Sequence, residues 1–599
     1  MRPLARLNRF YWKYKHLFVP GLLCAVVSAG FSITVPMVVR QAVDSIPRFV
    51  ATYRVFSGSA AQSHLFTSFF VTLLLFGLMV LGLSIMSGVF SFLMRQTVVV
   101  ASRHIEYDLR NELYEHIQKL SRSFYLKHPT GDIMTRATSD IEQVRRYIGP
   151  AIMYLTRALV IVVTAMTVMF VISPRLTLFA LIPMPFLAVS VFLVAHMVHS
   201  RSDALQKQYS RLTSRVQEAL SGIRVLKAYT RESSEAAVFD EESRHYRRRM
   251  LDLALVEAAW RPVFLLLVGM STIIVVWVGG RLVAEGVITI GNIAEYIIYV
   301  ALMTWPVASM GFVITMIQRA SASISRIAEI LDTVPDIADG EHTDPRIESL
   351  EGAISFDHVC FSYVDGEPVI DDITIDVPAG STLAIVGRTG SGKSTLVEMI
   401  PRLLEPTSGR LLVDGMEVRS IPLATLRGSI GYVPQDVFLF SDTVAANVAF
   451  GDMGAAMSAI EEVAGEAELL DNIQDLSDGF ETYVGERGIT LSGGQKQRTS
   501  IARALIRRPR ILILDDALSA VDTDTERRIL RHLRRHYGRR TIVIVSHRVS
   551  AVQDADQIAV LDKGRVAELG THRQLLEVDG LYANLYRKQL LEDEIESIV

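Results

Sequence analysis

Residues 383–395 read Leu-Ala-Ile-Val-Gly-Arg-Thr-Gly-Ser-Gly-Lys-Ser-Thr. An apolar, strand-like run enters Gly387, Arg388, Thr389, Gly390, Ser391, Gly392, Lys393, Ser394 and Thr395, the spacing of a phosphate-binding loop. Glycines there let backbone N–H groups turn inward onto phosphates. Lys393 is placed to reach the β- and γ-phosphates, and the Ser394 hydroxyl suits Mg²⁺. A second apolar run, Ile511–Leu514, ends on Asp515. An acid at that point would hold Mg²⁺ directly or through water. The chemistry predicted is nucleotide binding with a divalent cation.

These residues need strands and helices to hold them. From residue 351 onward, short β-branched runs (Thr382–Val386, Ile511–Leu514, Thr541–Val545) alternate with helical segments, which predicts an α/β domain over 351–599. Before it, 321–350 carries a helical stretch and then Pro-Asp-Ile-Ala-Asp-Gly-Glu-His-Thr-Asp-Pro, a composition expected of a linker. The first 320 residues differ in kind. The whole chain has 599 residues, of which 50% are hydrophobic and 21% charged, with a mean hydropathy of +0.30. The apolar excess lies in this first part, and a bilayer core needs about 20 apolar residues in a helix. Six stretches qualify, near 17–40, 66–94, 150–172, 176–198, 262–284 and 288–318. Leu73–Phe90 and Phe264–Gly279 are too long and too free of charge for a soluble core. The lipid bilayer is therefore an expected partner. With 61 Lys+Arg against 64 Asp+Glu, the net charge of -3 excludes a strongly basic nucleic-acid binder. Two cysteines, Cys24 and Cys360, make neither a disulfide scaffold nor a metal cluster.

Loop charge predicts the orientation. The lead-in carries Arg2, Arg6, Arg9, Lys13 and Lys15, and the long loops 95–149 and 199–261 are rich in Arg, including Arg247, Arg248 and Arg249. The other connections are short and poor in base, so the N-terminus, both long loops and the C-terminal half are expected on the cytoplasmic side. The N-terminal run is too long, and too far from the start, to read as a cleavable signal peptide. Residues 4–15 mix bases with Phe10, Tyr11, Trp12 and Tyr14, as in a short helix lying in the interface. Both long loops read as helical hairpins: Ile105, Leu109, Leu113, Ile117 and Leu120 recur at spacings of three and four. Breaks are expected at Pro129–Gly131 and at Ser221–Gly222.

Residues 491–495 are Leu-Ser-Gly-Gly-Gln, ahead of the strand that carries Asp515. Gln435 in Tyr-Val-Pro-Gln-Asp, Asp522 in Ser-Ala-Val-Asp, His547 in Ile-Val-Ser-His, Tyr363, and the run Tyr483-Val-Gly-Glu-Arg-Gly488 fall around it in order. With these motifs the chain resembles an ATP-binding cassette (ABC) exporter half-transporter, along essentially its whole length. The resemblance implies six long transmembrane helices fused to an α/β P-loop nucleotide-binding domain, with ATP and Mg²⁺ as cofactors. It implies that Tyr363 stacks on adenine, that Gln435 joins Ser394 and Asp515 at the metal, and that Gln435, Asp516 and His547 serve hydrolysis. It also implies that the loop tips 124–132 and 218–227 touch cassettes. Such halves work as dimers, each ATP lying between the phosphate loop of one cassette and the Ser492, Gly493, Gly494 and Gln495 equivalents of the other.

One residue departs from the family. After Asp515 the family has Glu, which orients the attacking water; here it is Asp516. Its carboxylate is one methylene shorter and falls on the order of 1.5 Å short. A misplacement of about 1 Å can cost about 10²-fold in rate. Ile-Leu-Asp-Asp-Ala-Leu-Ser-Ala-Val-Asp resembles subunits of heterodimeric multidrug exporters that carry one degenerate ATP site. The partner expected is then a second, different half-transporter; the alternative is a homodimer that tolerates the conservative swap. Met153, Met166, Met169, Met270, Met303, Met310 and Met316 suit promiscuous apolar binding and also lipid-facing packing. Arg157 lies within the third span, where a charge is a candidate for substrate contact. The expected activity is ATP-driven export of small amphipathic compounds across the cell membrane. A lipid flippase of the same fold and a non-transporting regulatory subunit are the alternatives.

Overall fold

The structure, a computed structural model, describes residues 3–58, 61–363, 366–485, 488–534 and 540–598. Arg2, Glu486 and Arg487, singled out above, lie outside the described residues. The chain forms two compact units, Met1–Gln118 with Thr130–Thr333, and Lys119–Pro129 with Val334–Val599.

In the first unit, six helices among the described residues are long and apolar enough to cross a membrane: Lys15–Val55, Ala61–Lys119, Thr130–Ile172, Pro174–Ser221, Glu232–Ala284 and Ile290–Leu331. The first five each contain one of the apolar stretches read from sequence; the sixth starts two residues inside its stretch, and every helix runs on beyond its stretch at one end or both. At 1.5 Å per residue, 41 to 59 residues exceed any bilayer core. The second helix shows the change of solvent along its length. Phe70, Leu74, Leu78, Leu81 and Ile85 are exposed, as lipid-facing residues can be. Further on, Met94, Val98, Ala101, Ile105, Leu109 and Leu113 form a buried stripe at helical spacing. The third helix takes two widened turns, at Arg136–Asp140 and Tyr147–Ala151. The second contains Pro150, which has no N–H for a regular turn. Buried hydroxyls tie helices together: Tyr296 bonds Thr177 Oγ1 at 2.9 Å and Tyr299 donates to the Ile33 carbonyl at 3.1 Å. The sixth helix starts at a Thr289–Asn292 capping box, and the Asp44 carboxylate accepts from the Gly291 N–H at 2.8 Å. At the chain start, Asn8–Lys13 is a short helix. Its Phe10 is buried in this unit while Trp12 is exposed, and Arg9 and Lys13 pair with Glu112 and Asp108 of the second helix.

The two loop tips break where turn residues stand. The first gives the short helix Arg122–Lys127, ending before Pro129. The second breaks at Gly222 and gives Ile223–Ala228. The sixth long helix ends at Leu331, and no further helix or strand forms before Ile354.

The second unit holds ten strands among the described residues: β1 Ile354–Phe361, β2 Ile370–Val377, β3 Thr382–Gly387, β4 Ser408–Val413, β5 Met416–Glu417, β6 Ile430–Val433, β7 Ile511–Asp515, β8 Thr541–Val545, β9 Gln557–Asp562 and β10 Arg565–Gly570. One sheet has the order β2-β1-β4-β5 and is antiparallel. The other has the order β10-β9-β3-β8-β7-β6, parallel except for β10. The central runs read as continuously apolar because both faces are covered. Ala384, Val386, Leu512, Leu514, Ile542 and Ile544 enter one core with the helix Gly493–Leu505. Leu383, Ile385, Ile511, Ile513, Val543 and Val545 enter the other, with the antiparallel sheet and the helix Lys393–Met399. Alternation along each strand thus builds two layers. The carboxyl ends of β3, β8 and β7 come to lie side by side, where open α/β sheets bind ligands.

Candidate functional site

β3 ends at Gly387, where a Cβ would stand 2.3 Å from the Leu561 carbonyl oxygen. The backbone of β9 leaves no room for a side chain. Gly390 and Gly392 have φ of +83° and +96°, and a Cβ at Gly392 would also meet the Val369 carbonyl. Left-handed residues alternating with others turn successive amides toward one side, making an anion cradle. Lys393 closes the loop on itself: its Nζ donates to the Gly387 and Arg388 carbonyls at 3.0 and 2.9 Å. Burial pushes its pKa down, against the pull of Asp516 and Asp515. The Ser391 hydroxyl is buried without a partner. An orphaned hydroxyl inside a cradle of amides fits a site built for phosphate oxygens.

Register brings the acids to the same place. β7 pairs with β8 so that Asp515 lies opposite Val545, two residues before His547. Asp515 is buried, and Ser394 Oγ donates to its Oδ1 at 3.0 Å. Burial raises the Asp515 pKa to about 6, with Glu398 and Asp516 adding to the rise and Ser394 and Lys393 opposing it. Hard oxygen donors from a serine hydroxyl and a carboxylate fit Mg²⁺. His547 is pushed below its ordinary value, first by burial and then by Lys393, so its imidazole is neutral at pH 7. Asp516 has a φ of +48°, donates its N–H to the Val545 carbonyl at 3.0 Å, and accepts Ser519 Oγ on its own carbonyl at 2.9 Å.

A cleft of about 190 Å³ gathers Thr389, Gly390, Gly392, Lys393, Ser394, Thr395, Gln435, Asp515, Asp516 and His547. Gly387, Arg388 and Ser391, in the turn that shapes the loop, do not line it. Tyr363 stands beside it. Its hydroxyl bonds Thr395 Oγ1 at 3.0 Å, its ring forms a T-shaped pair with Phe361, and the residue is exposed. Ser492, Gly493, Gly494 and Gln495 do not line the cleft. They open the helix Gly493–Leu505, where Ser492 Oγ accepts from the Gln495 N–H and Gln495 Oε1 accepts from the Ser492 N–H, a capping box.

Sequence spacing did not single out Gln497 or Arg548. Buried Gln497 donates to Ser519 Oγ at 3.0 Å and accepts the Ala520 N–H at 2.9 Å, tying the Ser492 helix to the loop after Asp516. Arg548 binds Glu526 and the Val521 carbonyl. Asp522 accepts the Thr525 N–H at 3.0 Å and caps the next helix.

The buried Asp515 charge has a cost that can be measured. A carboxyl with a raised folded pKa leaves stability intact below its unfolded value near 3.8 and loses it as pH rises to about 6. Asp515→Asn should therefore stabilise the nucleotide-free protein at pH 7.5 by on the order of 3 kcal/mol. The gain should vanish near pH 4 and come with loss of the Mg²⁺-dependent part of nucleotide affinity. Thermal unfolding across that pH range is the measurement. Equal gains at pH 4 and pH 7.5 would rule out the buried charge as their source.

Comparison with known proteins agrees with this layout. Residues 18–307 match the ABC transporter transmembrane region and residues 370–519 match the ABC transporter family. The probable multidrug resistance ABC transporter ATP-binding/permease protein YheI of Bacillus subtilis (strain 168) is 39% identical over 485 residues, 81% of this chain and 83% of that one. The multidrug resistance-like ATP-binding protein MdlA of Escherichia coli (strain K12) is 33% identical over 598 residues, covering 100% of this chain and 98% of its own. Among solved structures, a bacterial Atm1-family ABC exporter with ATP bound superposes with a TM-score of 0.78 at 27% identity, over 96% of this chain and 99% of that one. With six membrane helices and a nucleotide-binding domain in one polypeptide, the chain belongs to the ABC transporter family as an ATP-hydrolysing exporter half-transporter.

Proposed function

We propose that this chain exports small amphipathic compounds across the cell membrane as one half of a heterodimer, with its N-terminus and cassette cytoplasmic. The observation that carries the pairing is the place of Ser492 and Gly493. They lie exposed at a helix start and do not line the cleft that holds Lys393 and Asp515. A γ-phosphate clamp that its own cleft does not use belongs to the cleft of another cassette. The second loop tip supports the same reading: Ile223–Ala228 buries no residue, and Leu220, Val225 and Tyr229 are 65%, 63% and 75% exposed. The relatives' multidrug descriptions support the substrate class. Of the methionines, Met153, Met169, Met303 and Met316 are packed inside the unit, while Met270 and Met310 are exposed. Arg157 is half-buried.

In this reading Lys393 exchanges the Gly387 and Arg388 carbonyls for ATP phosphates, and the exposed Tyr363 ring stacks on adenine. Ser394, Gln435 and Asp515 would hold Mg²⁺, which supplies charge neutralisation for the phosphates. His547 is positioned as a neutral hydrogen-bonding group. Asp516 carries the short carboxylate, so this chain's own site is the slow one of two. Lys393→Ala is then expected to weaken ATP binding at this site yet only partly reduce lipophilic-dye transport by the two-chain complex in proteoliposomes. Complete loss of ATPase in a correctly assembled complex would contradict the asymmetric scheme.

A further inference from the structure

Arg122, on the short helix of the segment Lys119–Pro129, forms an ion pair with Glu398. Glu398 is 7% exposed and sits on the helix Lys393–Met399, whose first turn carries Lys393 and Ser394. Ser394 and Glu398 are four residues apart, so their side chains share a helix face. Behind them, Tyr432 on β6 stands in the combined field of Glu398, Asp515 and Arg122. Glu398 is also among the charges that push Asp515 upward. A buried carboxylate thus lies directly behind the phosphate loop, and the cation that answers it comes from the loop tip between the second and third long helices.

We propose that Arg122 is a positioning residue for the nucleotide site: its guanidinium cancels the Glu398 carboxylate, so that the cradle around Lys393 and Ser394 keeps its preference for phosphate anions. Without Arg122 an uncompensated negative charge faces ATP from behind, and in a buried setting such a charge is poorly screened. The inference rests on the reading of the cleft as an ATP site. Its consequence is reciprocal. If seating Arg122 tightens nucleotide binding, nucleotide tightens the seating of the loop tip by the same factor.

The sign of the effect separates this role from that of a mere structural tie. A structural tie is weakened equally by removal of either partner, whereas an electrostatic one responds in opposite directions. The test is equilibrium binding of a fluorescent ATP analogue to the full-length protein in lipid nanodiscs, with hydrolysis blocked by chelation of divalent cations. Arg122→Gln should weaken binding on the order of tenfold, Arg122→Lys should stay within about threefold of the parent, and Glu398→Gln should bind as tightly or more tightly. Arg122→Gln/Glu398→Gln should return to within about threefold, because the carboxylate that needed an answer is gone. The proposal is overturned if Arg122→Gln binds normally, or if Glu398→Gln weakens binding as Arg122→Gln does. Should Arg122→Gln fail to fold by thermal unfolding, the sign of Glu398→Gln alone decides. Lys393→Ala is run in parallel. Loss of binding there with a normal Arg122→Gln sinks this inference alone, whereas normal binding in Lys393→Ala sinks the reading of the cleft itself.

Discussion

Gly493→Asp is expected to lower ATP turnover of the two-chain complex by about 10²- to 10³-fold while leaving this chain folded. The two halves of that statement come from different observations. A Cβ at Gly493 would meet only the Ala520 Cβ, at 3.4 Å, an ordinary contact. An acid in the first turn of the helix Gly493–Leu505 is also favourable to the helix dipole. Stability should therefore hold, with a melting temperature within about 2 °C of the parent. The loss arises outside the chain. In the proposed dimer Gly493 faces the γ-phosphate in the partner's competent site, and a carboxylate there repels the charge that needs a clamp during transfer; one such stabilising group contributes about 10²- to 10³-fold. Gly494 is the contrasting control. A Cβ there would stand 2.8 Å from the Ala520 carbonyl oxygen, so Gly494→Ala should damage folding of this loop itself. Turnover assays on purified complexes, paired with thermal unfolding, separate the two. Near-normal turnover of Gly493→Asp would show that the exposed helix start is not a phosphate clamp.

In the proposed heterodimer, with the partner keeping the family's water-positioning Glu, replacing that Glu with Gln should cut single-turnover hydrolysis by the complex about 10²-fold, because native Asp516 does not take over. Asp516 stands after Asp515 at the head of the cleft, yet its carboxylate is a methylene short, and a shortfall of about 1 Å has a cost of that size. Its backbone adds a second constraint. With φ at +48°, position 516 is left-handed, a conformation in which Asp is enriched. If the facing signature of the proposed partner is degraded as well, Asp516→Glu should gain little, less than about twofold in overall ATPase, since a full site needs both the water-positioning acid and the γ-phosphate clamp. The slow site would hold ATP for long periods. Rapid single turnover by native Asp516, with the partner's Glu absent, would make it a competent catalytic acid and end the degenerate-site reading.

Sequence alone carried the elements whose signal is local. The phosphate loop is contiguous, so its chemistry is written in one run from Gly387 to Thr395, and Asp515 announces itself at the end of an apolar strand. Twenty-residue apolar stretches declare membrane helices by length, and the six are where composition put them, although their continuation to 41–59 residues shows only in weaker amphipathic spacing. The Pro129 and Gly222 breaks were legible for the same reason: the residues that end helices are next to the ends they make. What tertiary structure decided is what depends on chains meeting at a distance. Pairing of β3, β8 and β7 in register is what delivers Lys393, His547 and Asp515 to one cleft. Only the fold shows that Gln495 is spent on a helix cap, that Gln497 ties that helix to the loop after Asp516, and that Asp516 sits left-handed. Most of all, nothing in spacing joins Arg122 to Glu398, 276 residues apart by their numbers. A lone Arg on a loop tip and a lone Glu inside a helix have no pattern in one dimension; burial beside the phosphate loop is what makes each of them require the other.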